Sequence, residues 1–554
     1  MVYEHVPVLI VGGGTVGLST AVALARHGVQ SLVVERRATT SIHPRATGVQ
    51  PPAREFFRAM GLEERMREAS ADLAPSMSKI NVSPSLAGSD LAAAPRFPTP
   101  PLDVLEVTRR ISPTDIGPCS QDQIDRMLVA AAADRGVEVR FSTELESLTQ
   151  DDSGVTVTLL KNDTGERCTV RADYVVGADG ASSQTRRALG LTMSGLDKLG
   201  EPMINMMFRA DLGDLVAGNE FAFAEVRTGE IEGILLTINN KDRWVFHFTF
   251  DADDESLEDY PPERCAEIVR KVVGRPDLEV EVLARLSWQM SARVVERLRV
   301  GRVLMAGDAA HTIPPVGAFG MSTGIGDAYN LSWKLAMVIN GDAGPALLDT
   351  YQQERLPIAE FTCEQARLRF RYMELHWDNT PEGEAEKAKL RIADPLVTGF
   401  GFQYTHGAVV GARVELPSIE DVEQNLDGSP GSRLPHVWVE RKGERISTLD
   451  LAGAGFALLL GPNATGWRQA ADRLNGELPV TVYRLGPDGD VKDADNKVIA
   501  QVGITGEGAV LVRPDNFIAW RSTGAQQDAG EQLTGLLNAL LDRSDADATA
   551  PAAT

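Results

Sequence analysis

The sequence predicts an α/β fold in three parts: a Rossmann-like dinucleotide-binding unit, an antiparallel sheet inserted into it, and a small C-terminal α/β unit. Three observations carry this expectation. The chain opens on an apolar run that ends in three glycines, its middle is rich in alternating strand patterns, and strand and helix patterns alternate again beyond position 410. Its 554 residues leave room for several domains at roughly 100–200 residues each.

Val6 to Val11 is continuously apolar and rich in β-branched residues, as in a parallel strand buried on both faces. Gly12, Gly13 and Gly14 follow, then helical spacing from Thr15 to His27, stopped by Gly28. Ser31 to Glu35 is the next strand and closes a β-α-β unit. Ser120 and Gln123 have capping-box spacing, which predicts a helix running towards Gly136 and a strand over Val137 to Phe141. Val155 to Leu160 and Cys168 to Arg171 flank the turn residues Asn162 to Gly165 and read as a hairpin. Tyr174 to Val176 is a strand leading into Gly177-Ala178-Asp179-Gly180.

Met203 to Ala210, Phe221 to Val226, Ile231 to Ile238, Arg243 to Phe250 and Leu278 to Met290 read as strands of an antiparallel sheet, covered by a helix from Pro262 to Val273. Val303 to Ala306 returns to the buried-strand style, and helices are expected over Gly324 to Val338 and Ala359 to Leu375. In the last part, strands at Phe456 to Leu460, Val480 to Arg484, Ala509 to Val512 and Phe517 to Trp520 alternate with helices at Thr465 to Leu474 and Gln526 to Leu541. The final residues, SDADATAPAAT, have the composition of a disordered tail.

Lys and Arg number 55 against 78 Asp and Glu, a net charge of −23. Such a chain is a poor partner for nucleic acid or an anionic membrane. Cys119, Cys168, Cys265 and Cys363 are scattered and form no CxxC, which excludes zinc-ribbon spacing and a dithiol redox motif and suits a reducing cytoplasm. No metal site is expected, and no apolar stretch reaches the roughly 20 residues of a membrane span.

Gly12-x-Gly14-x-x-Gly17 sits between a strand and a helix. The first glycine permits the turn, the second lets a pyrophosphate approach the backbone, and the third lets helix and strand pack closely. The helix N-terminus presents unpaired N–H groups to phosphate. Glu35 ends the following strand, where a carboxylate binds ribose hydroxyls, so the dinucleotide is FAD or NAD rather than NADP. A second glycine-rich turn, Gly307-Asp308-Ala-Ala-His311 through Gly317 to Gly324, joins a strand to a helix. Its amides suit an electron-rich ring or phosphate. On the residues alone Asp308 reads either as a polyol acceptor or as a helix cap, and His311 as structural.

With these motifs in order, the chain resembles the class A flavoprotein aromatic hydroxylases, single-component FAD monooxygenases, and is similar to the polyketide hydroxylases of the aklavinone and tetracenomycin type. GGGTVG with Glu35 resembles their FAD fingerprint, Asp179-Gly180 through Arg186 their DG motif, and Gly307-Asp308 through Asp327, Asn330, Trp333 and Lys334 their GD motif. PHVWVERKGERISTLDL and LVRPDNFIAWR resemble their C-terminal thioredoxin-like domain. That domain has no cysteine here, so it would be redox-silent.

The resemblance implies FAD, held noncovalently by Gly12, Gly14, Thr15, Val16, Gly17, Glu35, Arg36, Arg45, Gln121, Leu145, Asp179, Asp308, Pro315, Gly320, Met321 and Ser322. The family's Gly-Gly and Asn are replaced here by Gly317-Ala318 and Ser322. It implies NADPH and O2 as co-substrates, a flavin C4a-hydroperoxide, and hydroxylation of a polycyclic aromatic polyketide in antibiotic biosynthesis. The alternative on the same fold is Baeyer–Villiger oxidation, oxidative rearrangement or antibiotic inactivation. No catalytic acid or base is assigned. Phe223, His247, Trp288, Met290 and Tyr372 are candidate substrate contacts, with Phe221, Phe246 and Arg371 as further candidates. The expected plan places the FAD-binding domain at 1–75, 105–192 and 291–400, sheet-domain residues at 76–104 and 193–290, the thioredoxin-like domain at 405–545 and a tail at 546–554. A cytoplasmic monomer or homodimer is expected.

Overall fold

A computed structural model describes residues 4–43, 47–71, 73, 78–98, 101–376, 378–474 and 478–543. Within them the strands build three large sheets. The first is parallel at its centre, in the order Val303–Met305, Arg167–Gly177, Glu4–Val11, Ser31–Val34, Glu138–Arg140. The hairpin strands Gly154–Lys161 and Thr143–Asp151 extend it antiparallel from Arg167–Gly177. Val8, Leu9, Ile10 and Val33 are fully buried, as strands covered on both faces must be. The helices Thr15–Arg26, Gln121–Asp134 and Gly320–Asn340 cover one face. Ser120 stands at the N-cap of the second of these but makes no side-chain cap hydrogen bond, so the capping box read from spacing does not form.

The second sheet runs His311–Thr312, Glu281–Val295, Met193–Arg209, Arg243–Thr249, Glu232–Thr237, Phe223–Arg227, Ser78–Val82, Arg96–Pro98. Its two longest strands, Met193–Arg209 and Glu281–Val295, extend well past the predicted bounds and pair with each other through three register shifts. Alternation sets its two faces. Ile204, Met206, Phe208, Trp244, Phe246 and Phe248 point to the helix Pro262–Val273 and share its core. Asn205, Met207, Val245 and His247 fall on the other face.

The third sheet centres on Phe456–Leu460, parallel to Val480–Gly486 and antiparallel to Ala509–Val512, which pairs with Ile518–Ser522. With the helices Thr465–Leu474 and Ala529–Leu541 on one side this is the βαβ-ββα order of a thioredoxin-like domain. It is not a detached unit. Trp333 and Met337, from the helix Gly320–Asn340, lie in one hydrophobic cluster with Phe456, Leu458 and Trp467, and Trp333 meets the Phe456 ring edge-on at 5.7 Å.

Charge buried beneath that contact joins the parts further. Glu354, 1 % exposed, receives Lys334 at 2.8 Å and both terminal nitrogens of Arg513 at 2.8 and 2.9 Å. Arg513 also donates to both oxygens of Asp515. Asn330 reaches Glu354 at 2.6 Å, and the Ala408 amide donates to it at 2.7 Å. Burial raises the Glu354 pKa, but Arg513 and Lys334 outweigh it and hold the carboxyl at about 2. A second buried link, Glu55 to Arg433, ties the first helices to the C-terminal segment.

Removing one partner of a buried pair leaves an uncompensated charge, which costs about 3–5 kcal/mol. Arg513→Met is therefore expected to destabilise the protein by about that amount in chemical denaturation, whereas Arg167→Met, whose partner Glu146 is on the surface, leaves the melting temperature nearly unchanged. The folded pKa of Glu354 lies below its ordinary 4.5. Its stabilisation is thus present above that value and drains away as pH falls towards 2. Melting curves across this window should show a shallower acid-side loss in Glu354→Gln than in wild type.

Candidate active site

The glycine fingerprint is defined by what its neighbours leave room for. Gly12 has φ +113, and a Cβ there would stand 2.3 Å from the Ala178 carbonyl oxygen. The first motif therefore rests directly on the backbone of the second. A Cβ on Gly17 would lie 1.9 Å from the Gly12 oxygen, so the helix start can sit against its strand only with glycine. Gly307 and Gly324 close on one side chain: a Cβ on either would meet Val16 Cγ2, at 2.8 and 2.6 Å. All three motifs thus converge on the turn 12–17. Gly14 differs, since a Cβ there meets nothing within 4 Å. It faces open space at the N-terminus of the helix Thr15–Arg26, whose N-cap, Gly14 itself, has no side chain to satisfy the first amides.

Side chains around the turn are held in place. Both oxygens of Glu35 accept backbone hydrogen bonds, from Gly13 and Arg37, each at 2.9 Å. The carboxylate is thus fixed at the strand end with lone pairs to spare for ribose hydroxyls. Gln121 donates to the Thr15 hydroxyl at 3.1 Å, and Thr15 donates to Asp125 at 2.5 Å. Gln121 therefore stands beside the helix N-terminus. Arg36 is exposed next to Glu35.

The turn 307–311 is anchored from beneath. Asp327 accepts from the Gly307 amide at 3.1 Å, from Arg355 at 2.8 Å, and pairs with His311 at 2.7 Å. Burial raises the Asp327 pKa, but His311 and Arg355 prevail and keep it below the ordinary range. His311 is 1 % exposed and structural, as read. Asp308 is exposed while Gly307, Ala309 and Ala310 are buried, so its carboxylate borders the open side of the turn. Pro315 is exposed and Gly320, Met321 and Ser322 are half-buried in the first turn of the helix Gly320–Asn340. Phe319, its N-cap, provides no side-chain cap, and Ser322 Oγ has no partner. Ala318 adopts φ +56, the left-handed conformation that a glycine would take without strain.

Two expected contacts have other partners in the fold. The Asp179 side chain accepts from the next helix start, from Ser183 at 2.5 Å, Gln184 at 2.8 Å and Thr185 at 2.9 Å. What it brings to the fingerprint is backbone, beside Gly12. Leu145 is 2 % exposed in the core under the parallel sheet, so its side chain offers nothing to a ligand. Arg186 of the same motif bridges instead, donating to the carbonyls of Ala309 and Ala181 at 2.9 and 2.8 Å. Arg45 lies outside the described residues.

The antiparallel sheet turns its other face towards this region, and Asn205, Met207 and Val245 on it are buried. His43, in the loop that follows Glu35, is hydrogen-bonded through Nε2 to Asn205 Oδ1. Asn205 pairs across the sheet with His247 and with Leu286. Trp288 faces Met203, one row further along the same face, and Phe223 lies one row the other way, opposite Leu236. Met290 packs near Gly200 and Phe370. Tyr372 is half-buried at the end of the helix Asp349–Arg371, with Arg371 over its ring at 5.5 Å. Phe221 and Phe246 are different: both are fully buried in the core beneath the sheet; alternation sends Phe246 to the covered face, and Phe221 stands before the strand Phe223–Arg227 begins. Sequence reasoning missed His43 and Asn205. The one signal was a lone polar residue inside the apolar strand MINMMFR.

These features fit a flavin dinucleotide: the open Gly14, the uncapped first turn at Gly320, the orphaned Ser322 hydroxyl and the fixed Glu35. Comparison with known proteins agrees. Residues 5–366 match the family model described as FAD binding domain, and residues 427–544 match the model described as aromatic-ring hydroxylase, C-terminal. The chain is 39% identical over 566 aligned residues to tetracenomycin A2 monooxygenase-dioxygenase of Streptomyces glaucescens, covering 98% of both chains. It superimposes on a ternary complex of aklavinone-11 hydroxylase with FAD and aklavinone with TM-score 0.84 and 34% identity, covering 98% of this chain and 100% of the other. RebC soaked with K252c gives TM-score 0.78 and 30% identity, covering 98% and 100%.

Gly14→Ala is expected to keep the folded chain, since its methyl group meets no protein atom, while FAD affinity falls about tenfold or more because that methyl occupies the pyrophosphate approach. Gly17→Ala is expected to lose the folded protein itself. Titration of the apoprotein with FAD, alongside thermal melts, separates the two; wild-type FAD affinity in Gly14→Ala would show that the pyrophosphate lies elsewhere.

Proposed function

The chain belongs to the FAD-binding aromatic-ring hydroxylases, and from that premise we propose that it is an FAD-dependent monooxygenase that uses NADPH and O2 to hydroxylate a polycyclic aromatic polyketide. One observation carries this reading. The loop leaving the flavin fingerprint is hydrogen-bonded, through His43 and Asn205, to the face of the antiparallel sheet opposite the helix Pro262–Val273, so a ring bound beside that face is brought to the flavin side. The face is suited to an apolar planar molecule: Phe97 and Leu286 stand on it 44 % and 40 % exposed, and Ile42, beside His43, is 57 % exposed. Relatives carry the names tetracenomycin A2 monooxygenase-dioxygenase and putative polyketide hydroxylase, and a structural neighbour is aklavinone-11 hydroxylase in complex with aklavinone, which supports a polyketide substrate.

When bound, FAD supplies the redox chemistry, taking electrons from NADPH and passing them to O2, one atom of which enters the substrate. The protein supplies the rest. The Gly14 turn and the first amides of the helix Thr15–Arg26 hold the pyrophosphate, Glu35 the ribose, Asp308 the ribityl hydroxyls, and the backbone at Gly320, Met321 and Ser322 the pyrimidine edge. The sheet face holds the substrate ring against this assembly and excludes water from the reacting atoms. Arg45 is proposed as a further flavin contact on the family resemblance alone.

A second reading keeps fold and cofactor but changes the outcome to Baeyer–Villiger oxidation, oxidative rearrangement or antibiotic inactivation. It is favoured by the name monooxygenase-dioxygenase carried by the tetracenomycin relative.

The purified protein is expected to be yellow, to release its flavin on acid precipitation, and to oxidise NADPH slowly alone and faster with fused-ring phenols. Product mass after reaction under 18O-labelled O2 should show one added labelled oxygen with the ring skeleton intact. An altered ring skeleton would favour the second reading, and absence of any substrate-stimulated NADPH oxidation would overturn the first.

A further inference from the structure

Between the helix Gly320–Asn340 and the C-terminal domain lies a cavity of about 50 Å³. The helix lines it through Ser322, Gly326, Tyr329 and Asn330, and Asp515 and Asn516 close it from the C-terminal domain. Phe56, Phe400, Tyr404 and Phe517 supply aromatic walls. Three polar atoms on these walls have no hydrogen-bond partner among the described residues: Ser322 Oγ, Asn330 Oδ1 and Asn516 Oδ1. Asn330 and Asn516 are only 1 % and 5 % exposed. Asn330 donates through Nδ2 to Glu354 and Asp515, at 2.6 and 3.3 Å, so its oxygen is turned away from those carboxylates. Asn516 Nδ2 donates to the Tyr329 hydroxyl at 3.5 Å. Burial raises the Tyr329 pKa above its ordinary value, so this hydroxyl keeps a proton to donate in turn.

Charge and size narrow what the cavity takes. The ionised groups on its walls are paired: Arg355 with Asp327, Arg433 with Glu55, and Asp515 with Arg513. Nothing there calls for an ion. A dry cavity that binds benzene measures about 150 Å³, so an aromatic ring does not fit. A neutral, polar cavity of this size takes water, and at about 10–15 Å³ for each molecule it holds about four. Ser322 and Tyr329 are seven residues apart on one helix, which is about 10 Å along its axis. Three waters at steps of about 2.8 Å bridge that interval. A serine hydroxyl accepts as well as donates, so Ser322 can take a hydrogen bond from water and still donate to a group at the helix start.

We propose that this cavity binds a cluster of about four water molecules that joins Asn516, Tyr329 and Asn330 to the Ser322 hydroxyl and so orients that hydroxyl towards the pyrimidine edge of the flavin. Tyr329 and Asn516 are then positioning residues that act through Ser322, and the C-terminal domain acts on the cofactor site through the water it encloses. The inference rests on the placement of FAD proposed above and adds how its helix-side contact is held.

The test uses the FAD-loaded enzyme. A high-resolution crystal structure is expected to show ordered waters on Ser322 Oγ, Asn330 Oδ1, Asn516 Oδ1 and the Tyr329 hydroxyl. Tyr329→Phe keeps the ring against Phe56 and removes the hydroxyl; FAD release from the holoenzyme should become about threefold faster, with a shifted visible flavin band. A Cβ on Gly399, which lines the cavity, meets nothing within 4 Å. Gly399→Leu should therefore displace the water and reproduce both changes, whereas Gly399→Ser, whose hydroxyl stands in for a displaced water, should stay near wild type. Melting temperatures report folding, and if Gly399→Leu does not fold, Tyr329→Phe decides. A cavity filled by protein atoms or lacking ordered water overturns the inference, as do wild-type FAD release and an unshifted flavin band in Tyr329→Phe. If the waters and the variant effects are found but no aromatic compound stimulates NADPH oxidation, the proposed reaction fails and this inference stands; if stimulation is found and the variants behave as wild type, the inference alone fails.

Discussion

Close backbone approach at the turn 12–17 is the constraint on which the rest depends. Gly17 against the Gly12 oxygen, Gly12 against Ala178, and Gly307 and Gly324 against Val16 are contacts in which a methyl group would overlap its neighbour. They bring the starts of two helices and the ends of three parallel strands to one point. Each helix start presents amides without side-chain caps, so positive partial charge is concentrated there. Such a point attracts an anionic group, and the space over Gly14 is open.

The second constraint is electrostatic. A carboxylate buried as deeply as Glu354 or Asp327 is unfavourable without compensation, and both are compensated by groups far away in the chain. Asp327 draws in the turn at Gly307 and the arginine of the next helix, while Glu354 draws in Lys334, Asn330 and Arg513. Arg513 and the cluster around Trp333 join the C-terminal domain to the helix Gly320–Asn340.

The substrate side depends on the two-sidedness of a β-sheet. The helix Pro262–Val273 takes Phe246, Phe248 and Trp244 for its core, and alternation leaves Asn205 and His247 on the opposite face, towards the flavin loop. The same rule places Trp288 beside Met203 there. Chemistry and packing are therefore divided between odd and even positions of the same strands.

Local chemistry was sufficient to read much of this. The glycine turn, Glu35, the second glycine-rich turn and the order of strands and helices are encoded in contiguous residues, because turns, strand ends and helix starts are short-range structures. The individual roles were less legible. The pattern of Arg243 to Phe250 showed that its side chains alternate, but not that Phe246 joins the core and His247 the cleft; that choice is made by a helix twenty residues later. Asp179 also holds the next helix start, with partners that arise from the way the chain folds back at Ser183. The hydrogen bond from His43 to Asn205 spans 162 positions, and the pair Glu354–Arg513 spans 159. Contacts between residues so far apart leave no periodic or spacing signal in the chain, since they come into being when separate sheets and helices pack, and it is packing that selects which buried charge meets which.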